Sequence, residues 1–228
     1  TARADDFGHD RRSDRARDML LAFDTVGAIP RHVAALDVGV IGPHGGLRSI
    51  ADTGELYLVT AWADGTLYAD DLRRIAASGA TPADLARVDV LADYLAALHA
   101  VRTDRPASYV RAVRDLLGAG EGIFGMVDGF GSDVPAAPPA RLRRLEERGL
   151  AWRWRLRGHE HRLCRTHGDF HPFNVLFAPD GELALLDASR GCAGDPADDV
   201  TALAINYLFF AVDRPGATRP RAEWPGRD

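Results

Sequence analysis

The stretch THGDFHPFNVLF, residues 166–177, crowds His167, Asp169, His171 and Asn174 between two apolar runs. A second acidic group follows on a fold-back: NVLFAPDGELALLD runs from Asn174 to Asp187 with a Pro179–Asp180–Gly181 turn between. A hairpin with that turn brings positions 174 and 187 together at one end, and Asp169 lies in the loop just before. Two carboxylates and a carboxamide oxygen form a hard-oxygen site suited to Mg²⁺. The amide binds such an ion without adding a third negative charge, which leaves room for phosphate oxygens. With Asn174 and Asp187 on the metal, Asp169 is the base that acts on a hydroxyl. A different metal chemistry uses the same residues. On a strand, His167, Asp169 and His171 share one face, and Asp187 supplies a fourth ligand for a hydrolytic transition metal. Gly168 and Pro172 favour a loop instead, and that reading gives Asn174 no role.

Those side chains need a scaffold. A helix is expected over 11–26, with Ala16, Met19, Leu20 and Phe23 at helical spacing. Strands are expected at 31–41 and 54–62, joined through the turn residues of GPHGG and ADTG. From Ala69 the chain turns helical. Thr81 and Pro82 mark the start of a helix with an apolar face of Leu85, Val88, Ala92, Leu95 and Leu98. Further helices are expected at 106–117 and 139–157, with a Gly- and Pro-rich connection between them. A strand over 162–166 leads into the polar loop. The last helix runs from 196 to 212, capped by Asp195 and opened by Pro196, Asp198 and Asp199. The tail from 213 to 228 has no periodicity and reads as disordered. The whole is an α+β protein in two unequal parts.

Composition removes several function classes. The formal net charge is −5, which does not suggest a nucleic acid or an anionic membrane as partner. The longest apolar run, ALAINYLFFAV, is too short to span a bilayer, and the first residues carry no signal-peptide core. Cys164 and Cys192 make no metal or redox spacing and fit a reducing, cytoplasmic setting. All 28 basic residues are Arg; the chain has no Lys, so no step that needs an ammonium side chain is supplied by it.

HGDFHPFN, followed by LLDASRG and GDPADDV, resembles the aminoglycoside phosphotransferase and choline kinase-like family, relatives of the protein kinases. The first segment is similar to the kinase catalytic loop, and Asp187 stands where a metal-binding Asp of those enzymes stands. The resemblance implies a protein-kinase-like two-lobe fold with a truncated amino-terminal lobe over 1–62. A hinge near 60–66 follows, then a helical catalytic lobe over 67–212 that carries the β-hairpin. It implies ATP and Mg²⁺ as cofactors, Asp169 as the catalytic group, and Asn174 and Asp187 as metal ligands. Backbone groups of Ala61, Trp62 and Ala63 would meet the adenine. The partners it implies are a nucleotide and a small molecule with a hydroxyl acceptor. His167 is expected to brace the loop, His171 to touch the transferred phosphate or pack the loop, and His99 to pack near its helix end.

The same resemblance requires a Gly-rich phosphate-covering loop and a Lys on a neighbouring strand. Neither is found before the helix at 11–26. The expectation is therefore a phosphotransferase by ancestry that is weak or inactive as this chain. The alternatives are a non-catalytic kinase-like binding module, a gene fragment, or the metal-dependent hydrolase above.

Overall fold

The computed structural model describes residues 10–28, 30–54, 58–188 and 192–212. The expected tail at 213–228, part of the expected strand at 54–62, and Ser189 to Gly191 of the LLDASRG segment lie outside these residues. By its contacts the chain divides into two units, Thr1–Ala61 and Trp62–Asp228.

In the first unit, helix α1 spans Arg12–Thr25 and a short 3-10 turn follows at Val26–Ala28. Its start is fixed by a side chain reaching back: the Asp14 carboxylate accepts from the Arg11 N–H at 2.9 Å. Strand β1 (Gly39–Ile41) pairs antiparallel with β2 (Leu47–Ser49), in the register Val40 with Arg48. Of the expected partner strand at 54–62, the described residues 54 and 58–62 are irregular. The five residues of GPHGG close the hairpin directly, because Gly45 supplies the positive φ (86°) of a tight turn. Gly39 is equally constrained, since a Cβ there would sit 2.5 Å from the Arg48 carbonyl oxygen.

The second unit is mostly helical: α2 Tyr68–Ser78, α3 Pro82–Ala100, α4 Pro106–Gly118, α5 Ile123–Asp128, α6 Pro139–Arg155 and α7 Pro196–Val212. A three-stranded antiparallel sheet sits among them, in the order β3 (Thr66–Leu67), β4 (Val175–Phe177), β5 (Leu183–Leu185). Its core gathers Tyr68 and Leu72 of α2, Leu91 and Leu95 of α3, Val175 and Phe177 of β4, and Leu203 and Phe210 of α7. Phe170, from the polar loop itself, is wholly buried in the same cluster. The loop is thus nailed to the core by one aromatic ring.

Helix α3 begins as its sequence dictates, with Thr81 and Asp84 in a reciprocal capping box and Pro82 next. Its buried face differs from the expected one. Leu85 and Val88 are exposed, and Leu91, Leu95 and Asp84 point inward. Apolar residues occur all round this helix, so periodicity alone leaves its rotation open. Polar partners settle it: Arg87 pairs with Asp71 of α2 and lies over the Phe177 ring, and Asp84 holds Arg74 of α2. The connection expected between the fourth and sixth helices contains one further short helix, α5. The expected strand at 162–166 is reduced to a single bridged residue, Cys164, joined to Arg102 on one side and Gly194 on the other. No helix among the described residues is long and apolar enough to cross a membrane.

Candidate active site

Cys164 and Gly194 exchange main-chain hydrogen bonds at 3.1 Å in both directions, and Thr166 N–H donates to the Cys192 carbonyl. These contacts bring the loop from His167 to His171 beside the start of α7. There Asp199, with no exposed surface at all, accepts from two successive backbone groups: His167 N–H at 2.9 Å and Gly168 N–H at 2.8 Å. Gly168 has φ 83°, a left-handed turn that a side chain would resist. A buried carboxylate without such donors would be strongly destabilising. With them it becomes an anchor for the residue that follows, Asp169.

The loop then closes on itself. Asp169 N–H donates to His167 Nδ1 at 3.3 Å, and His171 N–H donates to the Asp169 carbonyl at 2.9 Å. Pro172–Asn174 forms a 3-10 turn capped by His171, whose Nδ1 accepts from Phe173 N–H. That bond leaves the proton of a neutral imidazole on Nε2, which lies 3.4 Å from Asp169 Oδ2. Asn174 Nδ2 donates to the same oxygen at 3.2 Å and to the Asp169 carbonyl at 3.1 Å. Asn174 Nδ2 is thus a side-chain donor to that oxygen, and it also lies 3.3 Å from His171 Nε2.

Asn174 leads straight into β4, and Leu186 N–H donates to its carbonyl at 2.9 Å. Asp187 is the next residue, exposed, with φ 46°. Left-handed backbone at a residue with a side chain stores strain, and such strain gathers at functional sites. The structure thus brings Asp169 and Asn174 into contact and sets Asp187 one residue beyond the hairpin's last bond to Asn174. The donor set fits a hard divalent cation. Among the described residues Asn174 Oδ1 accepts no hydrogen bond, so a neutral oxygen remains for an ion. The hydrolase alternative loses its basis: no group of three or more His, Cys, Asp or Glu among the described residues is placed to hold a metal.

The remaining expected residues fall as follows. Ala61 and Trp62 are exposed and Ala63 half-buried, in irregular chain leading to β3; the Trp62 indole donates to Asp64 at 2.7 Å. His167 braces the loop through Nδ1, sets its ring edge against Phe170, and keeps a buried Nε2 with no partner among the described residues. His99 does more than pack: its Nε2 lies 2.9 Å from Asp199 Oδ2. Asp195 turns inward. It caps α7 through Ala197 N–H, takes both guanidinium donors of Arg162 at 2.6 and 2.7 Å, and accepts from Tyr109 at 2.9 Å. Burial alone would raise its pKa, yet these donors, Arg162 foremost, hold it below the ordinary carboxylate value. Burial and that carboxylate push the Tyr109 hydroxyl up to about 12.

A family profile described as the phosphotransferase enzyme family, APH, matches residues 11–226. The chain belongs to this family. The family implies a phosphotransferase of kinase-like fold. No curated protein and no solved structure matches the chain. Sequence reasoning missed Asp199 as a loop anchor. Its place in the first turn of a helix already had a sufficient local cause, and nothing local signals a partner more than thirty residues away.

Proposed function

We propose that this APH chain transfers a phosphoryl group from Mg-ATP to a hydroxyl of a small molecule, with Asp169 as the group that orients and deprotonates that hydroxyl. The observation that carries the reading is the placement of Asp169 Oδ2, which accepts from Asn174 Nδ2 at 3.2 Å with His171 Nε2 3.4 Å away. The Asn174 donor restrains the carboxylate, and a base fixed in position contributes on the order of 10² to 10⁴ in rate. Asn174 Oδ1 and the Asp187 carboxylate are the cation's ligands from this chain. Mg²⁺, when bound, neutralises charge on the phosphate oxygens. Asn174 thus serves both sides: its nitrogen holds the base and its oxygen is left for the ion. Backbone groups of Ala61, Trp62 and Ala63 are assigned to the adenine.

Turnover is slow. With no Lys in the chain, one charge-stabilising donor of such sites is missing, and loss of one such donor costs on the order of 10²–10³ in kcat. The same absence favours a second reading, a nucleotide-binding module that transfers nothing. One experiment separates them. ADP formation with Mg-ATP is followed across a panel of small alcohols, sugars and amino alcohols, for the wild type and Asp169→Ala. Acceptor-dependent ADP formation that falls at least about 10²-fold in the variant supports the transferase. Equal rates in both proteins, or none in either alongside retained nucleotide binding, overturn it.

A further inference from the structure

Asp199 has a third donor that the loop does not supply. His99, in the last turn of α3, is separated from it by a hundred residues and sets Nε2 at 2.9 Å from Oδ2. Both Asp199 oxygens already accept from the main chain, so the imidazole is the donor of this bond. The histidine is itself largely buried, with 13% of its side chain exposed, and Asp199 has 0%. α3 backs the loop at a second point, where the Tyr94 ring stacks on Phe170 at 5.9 Å. Burial, then the Asp199 charge, pushes the Tyr94 hydroxyl pKa up, while Arg165 opposes this.

We propose that His99 is a positioning residue for the catalytic loop, acting through Asp199 on the His167 and Gly168 amides and so on Asp169. The inference rests on the reading of Asp169 above. Asp199 Oδ2 is shared between His99 and His167 N–H, so the imidazole limits how far the carboxylate can turn. Gly168 is the residue that would follow such a turn, and it precedes Asp169 directly. A glycine at φ 83° gives little resistance of its own. A misplacement of about 1 Å at a reacting group costs on the order of 10²-fold. A histidine that merely satisfied a buried carboxylate would change stability and leave kcat per folded molecule alone.

The test uses a matched pair in the full chain. In His99→Gln the side-chain amide nitrogen reaches the place of Nε2; in His99→Asn it stops near Nδ1. Gln is expected to keep kcat within about threefold of wild type, and Asn to lower it about 10- to 100-fold with KM for ATP nearly unchanged. Amide hydrogen exchange gives a readout that needs no turnover. In His99→Asn the His167 and Gly168 amides exchange faster while the interior amides of α3 keep their protection; in His99→Gln they match wild type. Equal behaviour of the two variants, or losses that track melting temperature alone, would overturn the proposal. If the wild type turns nothing over, the transferase reading fails, and the exchange pattern still decides whether His99 holds the loop.

Discussion

In the proposed site Asn174 is the residue at which the two halves meet, and its variants separate them. Asn174→Ala removes the cation's neutral oxygen and the donor to Asp169 together. Asn174→Asp keeps an oxygen for the ion but places a second carboxylate against Asp169 Oδ2, where an N–H now points. Like charges at that distance disfavour both ionised forms, and the base loses its orientation. Titration of ADP formation with Mg²⁺ should show a raised half-saturation for the Ala variant. The Asp variant should show a half-saturation no higher than wild type, with kcat lowered about 10²-fold or more. An Asp variant with full kcat would show that the Nδ2 bond to Asp169 has no part in the chemistry.

At the scale of elements, α3 is the piece whose stability the loop depends on, because it carries Tyr94 and His99. Its start rests on Thr81 and Asp84: Thr81 N–H donates to Asp84 Oδ2 at 2.7 Å, and Asp84 N–H donates to Thr81 Oγ1 at 3.4 Å. Thr81→Ala is expected to cost about 1 kcal/mol in chemical denaturation. The Thr81 hydroxyl first, then its backbone N–H and Arg74, lower the Asp84 pKa from 3.8 to about 2. A lowered carboxylate stabilises the fold above its unfolded pKa, and that contribution fades as pH falls through the folded value. Asp84→Asn should therefore be less stable than wild type at neutral pH. The gap in denaturation midpoint should narrow between 3.8 and about 2. A gap independent of pH would mean that Asp84 acts through packing. This helix also shows what the sequence makes legible. Its ends were readable because Thr81, Pro82 and Asp84 act within one turn, as do Asp195 and Pro196 at α7. Its rotation was not, since Leu85 and Val88 are as apolar as Leu91 and pairs with another helix, Arg87 with Asp71 and Asp84 with Arg74, decide the face.

For the molecule as a whole, the proposed site residues were legible because they lie within one loop and one hairpin, a short span of chain. What holds them was not, because Asp199 and His99 come from helices far along the sequence in either direction. Binding and chemistry can be separated at this scale by mass action. A ligand that binds only the folded chain stabilises it by about 2.7 kcal/mol at a hundredfold excess over its Kd. For a chain of this size that amounts to a rise in Tm of roughly 5–10 °C with Mg-ATP. ATP with EDTA should give much less, since the ion then cannot join Asn174 and Asp187 to the phosphates. Asp187→Ala should respond to ATP alike with and without Mg²⁺. Asp169→Ala should keep the full Mg-ATP shift while losing turnover, because the base faces the hydroxyl and not the ion. A Tm unmoved by millimolar Mg-ATP in the wild type would remove the nucleotide, and with it the transfer. A shift retained in Asp187→Ala would instead move the cation to other ligands and leave Asp169 where the loop has set it.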